Sequence, residues 1–262
     1  MSEPVLANVD RGVARIELNQ PERGNALGTD LAEALCEAVS RVAARSDIRA
    51  VLLTGRGKAF CVGGDINRFR SDLSDLPASL GRSLSRLNAT IAELADLPVP
   101  VVTAVNGPLG GGGIGLALCG DIVLAADTAK LRGGYTGIGL TPDVGSSLLL
   151  VQRVGLPRAK RILFLNEPLD AATCQAWGLF DEVHPEAQLR DRAEALVEQL
   201  RRSATGAIGR AKRLLHQAWR SSMDEQLAAE RRGMMASGGS AEAREGVTAF
   251  LEKRAPDFDG TA

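Results

Sequence analysis

The chain has 262 residues, with 31 Lys and Arg against 32 Asp and Glu for a net charge of −1, and 45% hydrophobic residues. That length buries a substantial core in one large domain or two small ones, and the balanced charge argues against nucleic acid or an anionic membrane surface as a partner. Cys36, Cys61, Cys119 and Cys174 stand far apart with no C-x-x-C, and neither His184 nor His216 neighbours a Ser or Cys in a nucleophile motif, so disulfides, a zinc site and a Ser-His-Asp or Cys-His hydrolase are not expected.

The start, Met1-Ser-Glu-Pro-Val5, lacks a basic region and an apolar run. No stretch approaches the roughly 18 apolar residues of a membrane span. A cytoplasmic protein with reduced thiols is expected.

In chain order, Val13-Ala-Arg-Ile-Glu-Leu18 alternates like a half-buried strand and is broken by Asn19-Gln-Pro-Glu-Arg-Gly24. Asp30 and Glu33 make a capping-box-like start to a helix carrying Leu31, Leu35, Ala38 and Val42 at helical spacing. Ala50-Val-Leu-Leu-Thr54 is a continuous apolar run, as in a strand covered on both faces. Leu80, Leu84, Leu87, Ile91 and Leu94 stripe a second helix that Pro98 and Pro100 end. Val101–Val105 is again a buried strand, Asn106-Gly107 turns, a short helix follows, and 121–125 is strand. This alternation is that of an α/β fold.

From about residue 146 the pattern is almost wholly helical, with a short strand expected at 179–183. Ile208, Ala211, Leu215, Ala218 and Trp219 form a stripe, Ser222 and Glu225 a capping box, and Ser240 starts a last helix carrying Val247, Phe250 and Leu251. A soft boundary falls near residue 200, between a core of residues 1–200 and a helical region of 201–262 that covers its own core or a neighbouring subunit.

Two glycine loops follow buried strands: Lys58-Ala-Phe-Cys-Val-Gly-Gly-Asp-Ile66, and Asn106-Gly-Pro-Leu-Gly-Gly-Gly-Gly-Ile-Gly115. Backbone without side-chain bulk at a helix start offers unpaired N–H groups to an anion or a developing oxyanion. Tight turns and close packing explain the same glycines. So does a dinucleotide fingerprint, Gly110-x-Gly112-x-x-Gly115 with Asp127 as ribose acid, although the room between Gly113 and Gly120 is short for the usual crossover helix.

The order and separation of these loops resemble the enoyl-CoA hydratase/isomerase (crotonase) superfamily. The resemblance runs from Asn19-Gln-Pro-Glu-Arg-Gly-Asn-Ala-Leu27 through Gly57–Ile66, Val101–Gly107 and Cys119-Gly-Asp-Ile122 to Ala176-Trp-Gly-Leu179 and Glu252-Lys-Arg254. It implies a spiral of ββα repeats, a C-terminal helical region used in trimerisation, a homotrimer or hexamer, and an acyl-CoA thioester substrate with no further cofactor and no metal. It places an oxyanion hole at the N–H groups of Gly64 and Gly112, and coenzyme A along Arg23, Gly24, Asp65, Ile66, Asn67 and Gly111. Phe250 and Lys253 would reach the nucleotide from a neighbouring subunit, their plainer reading being an apolar helix face and a surface lysine.

Hydratases of this family hold water between two glutamates, and the matching positions here are Gly115 and Tyr135. An acid stands instead at Asp143, in Gly139-Leu-Thr-Pro-Asp-Val-Gly145, similar to the ring-epoxide isomerases of phenylacetyl-CoA degradation and, at the aspartate, to dienoyl-CoA isomerases. A benzoyl-CoA dehalogenase subgroup also carries an aspartate there. The resemblance thus implies an isomerase in which Asp143 shuttles a proton beside a thioester enolate. A hydratase using Asp143, or a non-catalytic acyl-CoA-binding relative, are the alternatives. Apart from the resemblance, Asp143 reads as a helix N-cap and Tyr135 as a donor to substrate or a pocket wall. Asp65 reads as ordering its loop and Asp121 as structural.

Overall fold

The computed structural model describes residues 3–69 and 73–261. In chain order the strands are β1 (Val5–Asp10), β2 (Val13–Leu18), β3 (Ala50–Gly55), β4 (Val101–Val105), β5 (Leu109–Gly110), β6 (Ile122–Ala126), β7 (Lys130–Arg132), β8 (Leu169–Asp170) and β9 (Glu182–His184). The helices are α1 (Thr29–Ala43), α2 (Ile66–Phe69), α3 (Leu76–Asp96), α4 (Gly112–Leu118), α5 (Ser146–Leu165), α6 (Ala171–Trp177), α7 (Glu186–Arg201), α8 (Thr205–Ala218), α9 (Met223–Gly238) and α10 (Ala241–Glu252).

Six strands form one sheet in the order β1-β2-β3-β4-β6-β9, antiparallel between β1 and β2 and parallel elsewhere. The β1–β2 hairpin turns on Arg11 and Gly12, both at positive φ, as a two-residue primed turn requires. Of the parallel strands, β3, β4 and β6 are buried on both faces, which is why they read as unbroken apolar runs. Val51, Leu53 and Val101 face a core shared with Leu31, Leu35 and Leu94 of α1 and α3. Their neighbours Leu52, Val102 and Ala104 face Leu189, Ala193, Leu196 and Val197 of α7. Each fully buried leucine contributes roughly 1.5–3 kcal/mol. A small second sheet, β5-β7-β8, stands beside the first.

Three local expectations need correction. Asp30 does not cap α1, because the helix starts at Thr29 behind Gly28 with no side-chain cap. Its carboxylate instead takes hydrogen bonds from Gln20 and Arg23. The late strand lies at Glu182–His184, after the buried Leu179 and Phe180. The stripe on α8 is not buried within the protomer: Thr205, Gly209 and Lys212 pack inward, while Leu215 and Trp219 are each 69% exposed.

The tail is nonetheless tied to the core. Lys212, almost buried, pairs with Asp121 at 2.8 Å, and Asp121 also accepts from the Val101 N–H. Glu242 of α10 accepts from the Gly206 and Ala207 N–H groups at the start of α8, where the helix dipole favours an anion. The Ser222–Glu225 capping box and the Ser240 N-cap form as the sequence suggests. Met223, Leu227, Phe250 and Leu251 join Leu215 and Trp219 as large apolar side chains exposed on α8 to α10. All four cysteines are free thiols, with Cys61, Cys119 and Cys174 buried and Cys36 partly so. No helix among the described residues is long and apolar enough to cross a membrane.

Candidate active site

The two glycine loops run side by side. The Phe60 N–H donates to the Pro108 carbonyl at 3.1 Å, and the Gly110 N–H to the Cys61 carbonyl at 3.1 Å. Buried Asn25 braces the first loop, its side-chain amide donating to the carbonyls of Arg56, Ala59 and Phe60. Asn106 braces it from the second, accepting from the Gly55 N–H and donating to the Gly57 carbonyl. A Cβ on Gly63 would lie 2.8 Å from the Gly110 carbonyl oxygen, and Gly63 sits at φ 101°. Only glycine satisfies both conditions.

Gly64 and Gly112 both lie against Leu27, Gly64 through a backbone bridge and Gly112 with its Cβ position 2.9 Å from Leu27 Cδ1. The Leu27 N–H donates to the Gly63 carbonyl in a parallel bridge between Leu27 and Gly64. In such a pairing residue 27 bonds to residues 63 and 65, so the Gly64 N–H points away from that strand. Gly112 heads α4, where an N–H has no intrahelical acceptor. Two backbone donors at adjoining loops can hold an oxygen that gains negative charge.

The segment between β7 and α5 closes over them. A Cβ on Gly112 would lie 3.4 Å from Asp143 Oδ1, so the carboxyl stands directly against the second loop. A Cβ on Gly115 would lie 1.8 Å from the Val144 carbonyl oxygen. The space of the first hydratase glutamate is therefore filled by backbone, and no side chain fits there. Val144 adopts φ 52°, strained for a β-branched residue, and turns the chain between Asp143 and the helix.

The N-cap reading of Asp143 does not hold. The N-cap of α5 is Gly145, with no side-chain cap. Asp143 contributes its backbone carbonyl to the Ser146 N–H, while its carboxyl accepts a 2.7 Å hydrogen bond from the Tyr135 hydroxyl. The Tyr135 hydroxyl thus donates to Asp143 and lies 3.0 Å from Ser146 Oγ. Burial pushes the Asp143 carboxyl above the ordinary carboxylate range, against the opposing effect of the Tyr135 hydrogen bond. Burial first, and then the neighbouring Asp143 charge, push the Tyr135 phenol upward, so it stays a neutral donor. Burial also raises the Cys61 thiol beneath the loop to about 12, which removes it as a nucleophile. Ser146 and the Val144 carbonyl escaped sequence reasoning, because Gly145-Ser-Ser signals only a helix start.

At the rim, Arg23 forms an ion pair with Asp65, and Asp65 accepts from the Asn67 N–H. The Val62 N–H donates to the Gly24 carbonyl, and Ile66 is half exposed beside them. Gly111 donates to the Gly133 carbonyl. Arg23, Gly24, Asp65, Ile66, Asn67 and Gly111 therefore border the two loops. Phe250, 82% exposed, and Lys253 stand apart on and after α10.

The rival readings lose their residues to structure. Asp127 accepts from the Glu186 N–H at the start of α7, and α4 has only seven residues, so the dinucleotide reading has neither its acid nor its helix. His184 pairs with Glu182. Among the described residues no three His, Cys, Asp or Glu side chains gather as a metal site would require.

Residues 8–261 match the family model described as enoyl-CoA hydratase/isomerase. The chain is 39% identical over 261 residues to the 1,2-epoxyphenylacetyl-CoA isomerase of Escherichia coli, covering 99% of this chain and 100% of that one. It is 29% identical over 262 residues to the trans-2-decenoyl-[acyl-carrier-protein] isomerase of Streptococcus mutans, covering 98% of each. Among solved structures, an enoyl-CoA hydratase from Polaromonas superposes with a TM-score of 0.91 at 30% identity, over 97% of this chain and 98% of the other. Whole-chain matches of this extent, on a fold that joins the two glycine loops, place the chain in the enoyl-CoA hydratase/isomerase family, the crotonase superfamily.

Proposed function

We propose that the chain is an acyl-CoA isomerase acting on an enoyl or ring-derived thioester. The observation that carries this reading is the replacement of the hydratase pair by one carboxyl: Asp143 stands against Gly112 while the Val144 carbonyl fills the space at Gly115. Adding water asks for two groups, one to take a proton from water and one to give a proton to carbon. Moving a double bond asks for one group that takes a proton and returns it elsewhere.

In this mechanism the thioester oxygen sits between the Gly64 and Gly112 N–H groups. Asp143 removes a proton from the carbon next to the carbonyl, and the electron pair flows to the oxygen as an enolate. The protonated Asp143 then returns the proton to the far end of the conjugated system. Each donor of such a pair is worth about 3 kcal/mol of barrier. A carboxyl held above its ordinary range by burial is a stronger base for this step. The name of the Escherichia coli relative supports a ring-derived substrate. Coenzyme A would run along Arg23, Gly24, Asp65, Ile66, Asn67 and Gly111, and the exposed apolar side chains of α8 to α10 would meet a second and third copy in a trimer, bringing Phe250 and Lys253 to a neighbour's nucleotide.

The test offers 3-enoyl-, 2-enoyl- and aryl-epoxide thioesters of CoA to the protein and to Asp143→Asn. Isomerisation should fall about 10²- to 10⁴-fold in the variant. Unchanged turnover would remove Asp143 from the chemistry, and binding of CoA esters without any turnover would favour a non-catalytic role.

A further inference from the structure

We propose that Tyr135 and Ser146 are positioning residues for Asp143: a directed chain of hydroxyls, Ser146 to Tyr135 to Asp143, pins one carboxyl oxygen and leaves the other to face the substrate. The inference rests on Asp143 being the reacting carboxyl and adds what holds it.

The direction of the chain follows from counting protons. A phenol has one O–H to give. The shortest contact of Tyr135 Oη is the 2.7 Å bond to Asp143 Oδ1, an acceptor when ionised. Ser146 Oγ, 3.0 Å away on the other side, must then donate its own proton to Tyr135 Oη. Both hydroxyl residues are buried, Ser146 fully, so water does not compete for these bonds. In a low-dielectric setting such linked bonds polarise one another, and the serine strengthens the donor that faces the carboxyl. The Tyr135 hydroxyl also lies 3.3 Å from the Asp143 backbone carbonyl, a longer contact for the same single proton.

Backbone hydrogen bonds tie down both anchoring elements. Ser146 opens α5 and its N–H is bonded to the Asp143 carbonyl, closing a tight turn through Val144 and Gly145. Tyr135 precedes a 3-10 turn whose Ile138 N–H donates back to the Tyr135 carbonyl. With Oδ1 held on the side of Gly112, Oδ2 receives no side-chain donor among the described residues and is the oxygen available to take a proton.

The experiment titrates the Asp143 carboxyl by ¹³C NMR in the substrate-free protein, with the resonance assigned by its absence in Asp143→Asn. It is repeated in Tyr135→Phe, Ser146→Ala and the double variant, beside the pH profile of isomerisation. Tyr135→Phe should raise the carboxyl midpoint by about one pH unit, the scale of a hydrogen bond to a charged group. Ser146→Ala should raise it by less, and the double variant should match Tyr135→Phe, because the serine acts only through the tyrosine. The acid limb of kcat/KM should move with the carboxyl while KM stays within about twofold, as expected when substrate binding is untouched. An unmoved midpoint in Tyr135→Phe overturns the proposal, as does a serine effect that persists in full without the tyrosine. If the midpoints move as stated but no thioester is isomerised, the positioning chain stands and the proposed activity alone falls.

Discussion

Replacing Gly115 by Glu would restore in sequence the first glutamate of the hydratases, and the structure forbids it in space. The new Cβ would meet the Val144 carbonyl oxygen at 1.8 Å and the Ser146 Oγ at 3.1 Å. An ordinary contact needs about 3.5 Å, so the Asp143–Gly145 turn must retreat by roughly 1.7 Å. Forcing bulk into a packed site, here with a charge attached, costs about 3 kcal/mol. For a chain of this size that lowers the thermal midpoint by roughly 6–12 °C. The retreating turn carries Asp143, and a displacement of about 1 Å at a reacting group costs about 10²-fold in rate. Thermal unfolding followed by circular dichroism, together with isomerisation and hydration assays on enoyl-CoA, should therefore show a less stable protein that loses isomerisation without gaining hydration. Gly115→Ala should show the same trend in smaller measure. A Gly115→Glu variant with an unmoved midpoint that hydrates 2-enoyl-CoA would refute the steric account of position 115.

Other perturbations probe the remaining links. Because burial raises the Asp143 carboxyl in the folded state, the native protein binds that proton more tightly than the unfolded chain, and the site loses stability as pH rises from the ordinary carboxylate range through the raised folded value. Asp143→Asn keeps an acceptor for Tyr135 and should melt no lower than the parent at pH 7, with its relative advantage fading on acidification; calorimetry showing a penalty that grows with pH would contradict this. Lys212→Met should cost about 3 kcal/mol in urea unfolding, since it leaves Asp121 without its buried partner, and Asp121→Asn in the same chain should recover part of the loss. Trp219→Asp, at the exposed C-cap of α8, tests the proposed trimer: it should leave the protomer fold intact by circular dichroism while sedimentation shifts to monomer, and sedimentation unchanged from the parent would remove that face from the proposed interface.

Much of the frame was legible because its signals are local. The apolar runs at 50–54 and 101–105 became strands buried on both faces, and the stripe ending in Ile91 and Leu94 became a packed helix. A hydroxyl followed three residues later by a glutamate sets a cap within one turn, which is why Ser222 and Glu225 read correctly. A carboxylate in the same spacing misled at Asp30, where Gln20 and Arg23 claim it. Strand β1 was missed because only Val5 of it is buried, so no alternation marks it. β5, β7 and β8 are too short to carry a period, and exist because partners on other segments complete their hydrogen bonds.

For the candidate site the division is similar. The sequence by itself determined the residue types: two glycine loops after buried strands, no carboxylate at 115 or 135, and one aspartate at 143. Periodicity and glycine content report on backbone conformation, so they marked the two loops as stretches of backbone free of side-chain bulk. Tertiary structure alone decided that Asp143 turns to Gly112 and Tyr135 rather than capping α5, that the Val144 carbonyl occupies the place of a glutamate, and that Ser146 completes the chain of hydroxyls. Those outcomes depend on side chains and carbonyls meeting across loops whose approach is fixed by the packing of α5 on α4 and of α4 on the strands, and no spacing along the chain encodes a distance through space.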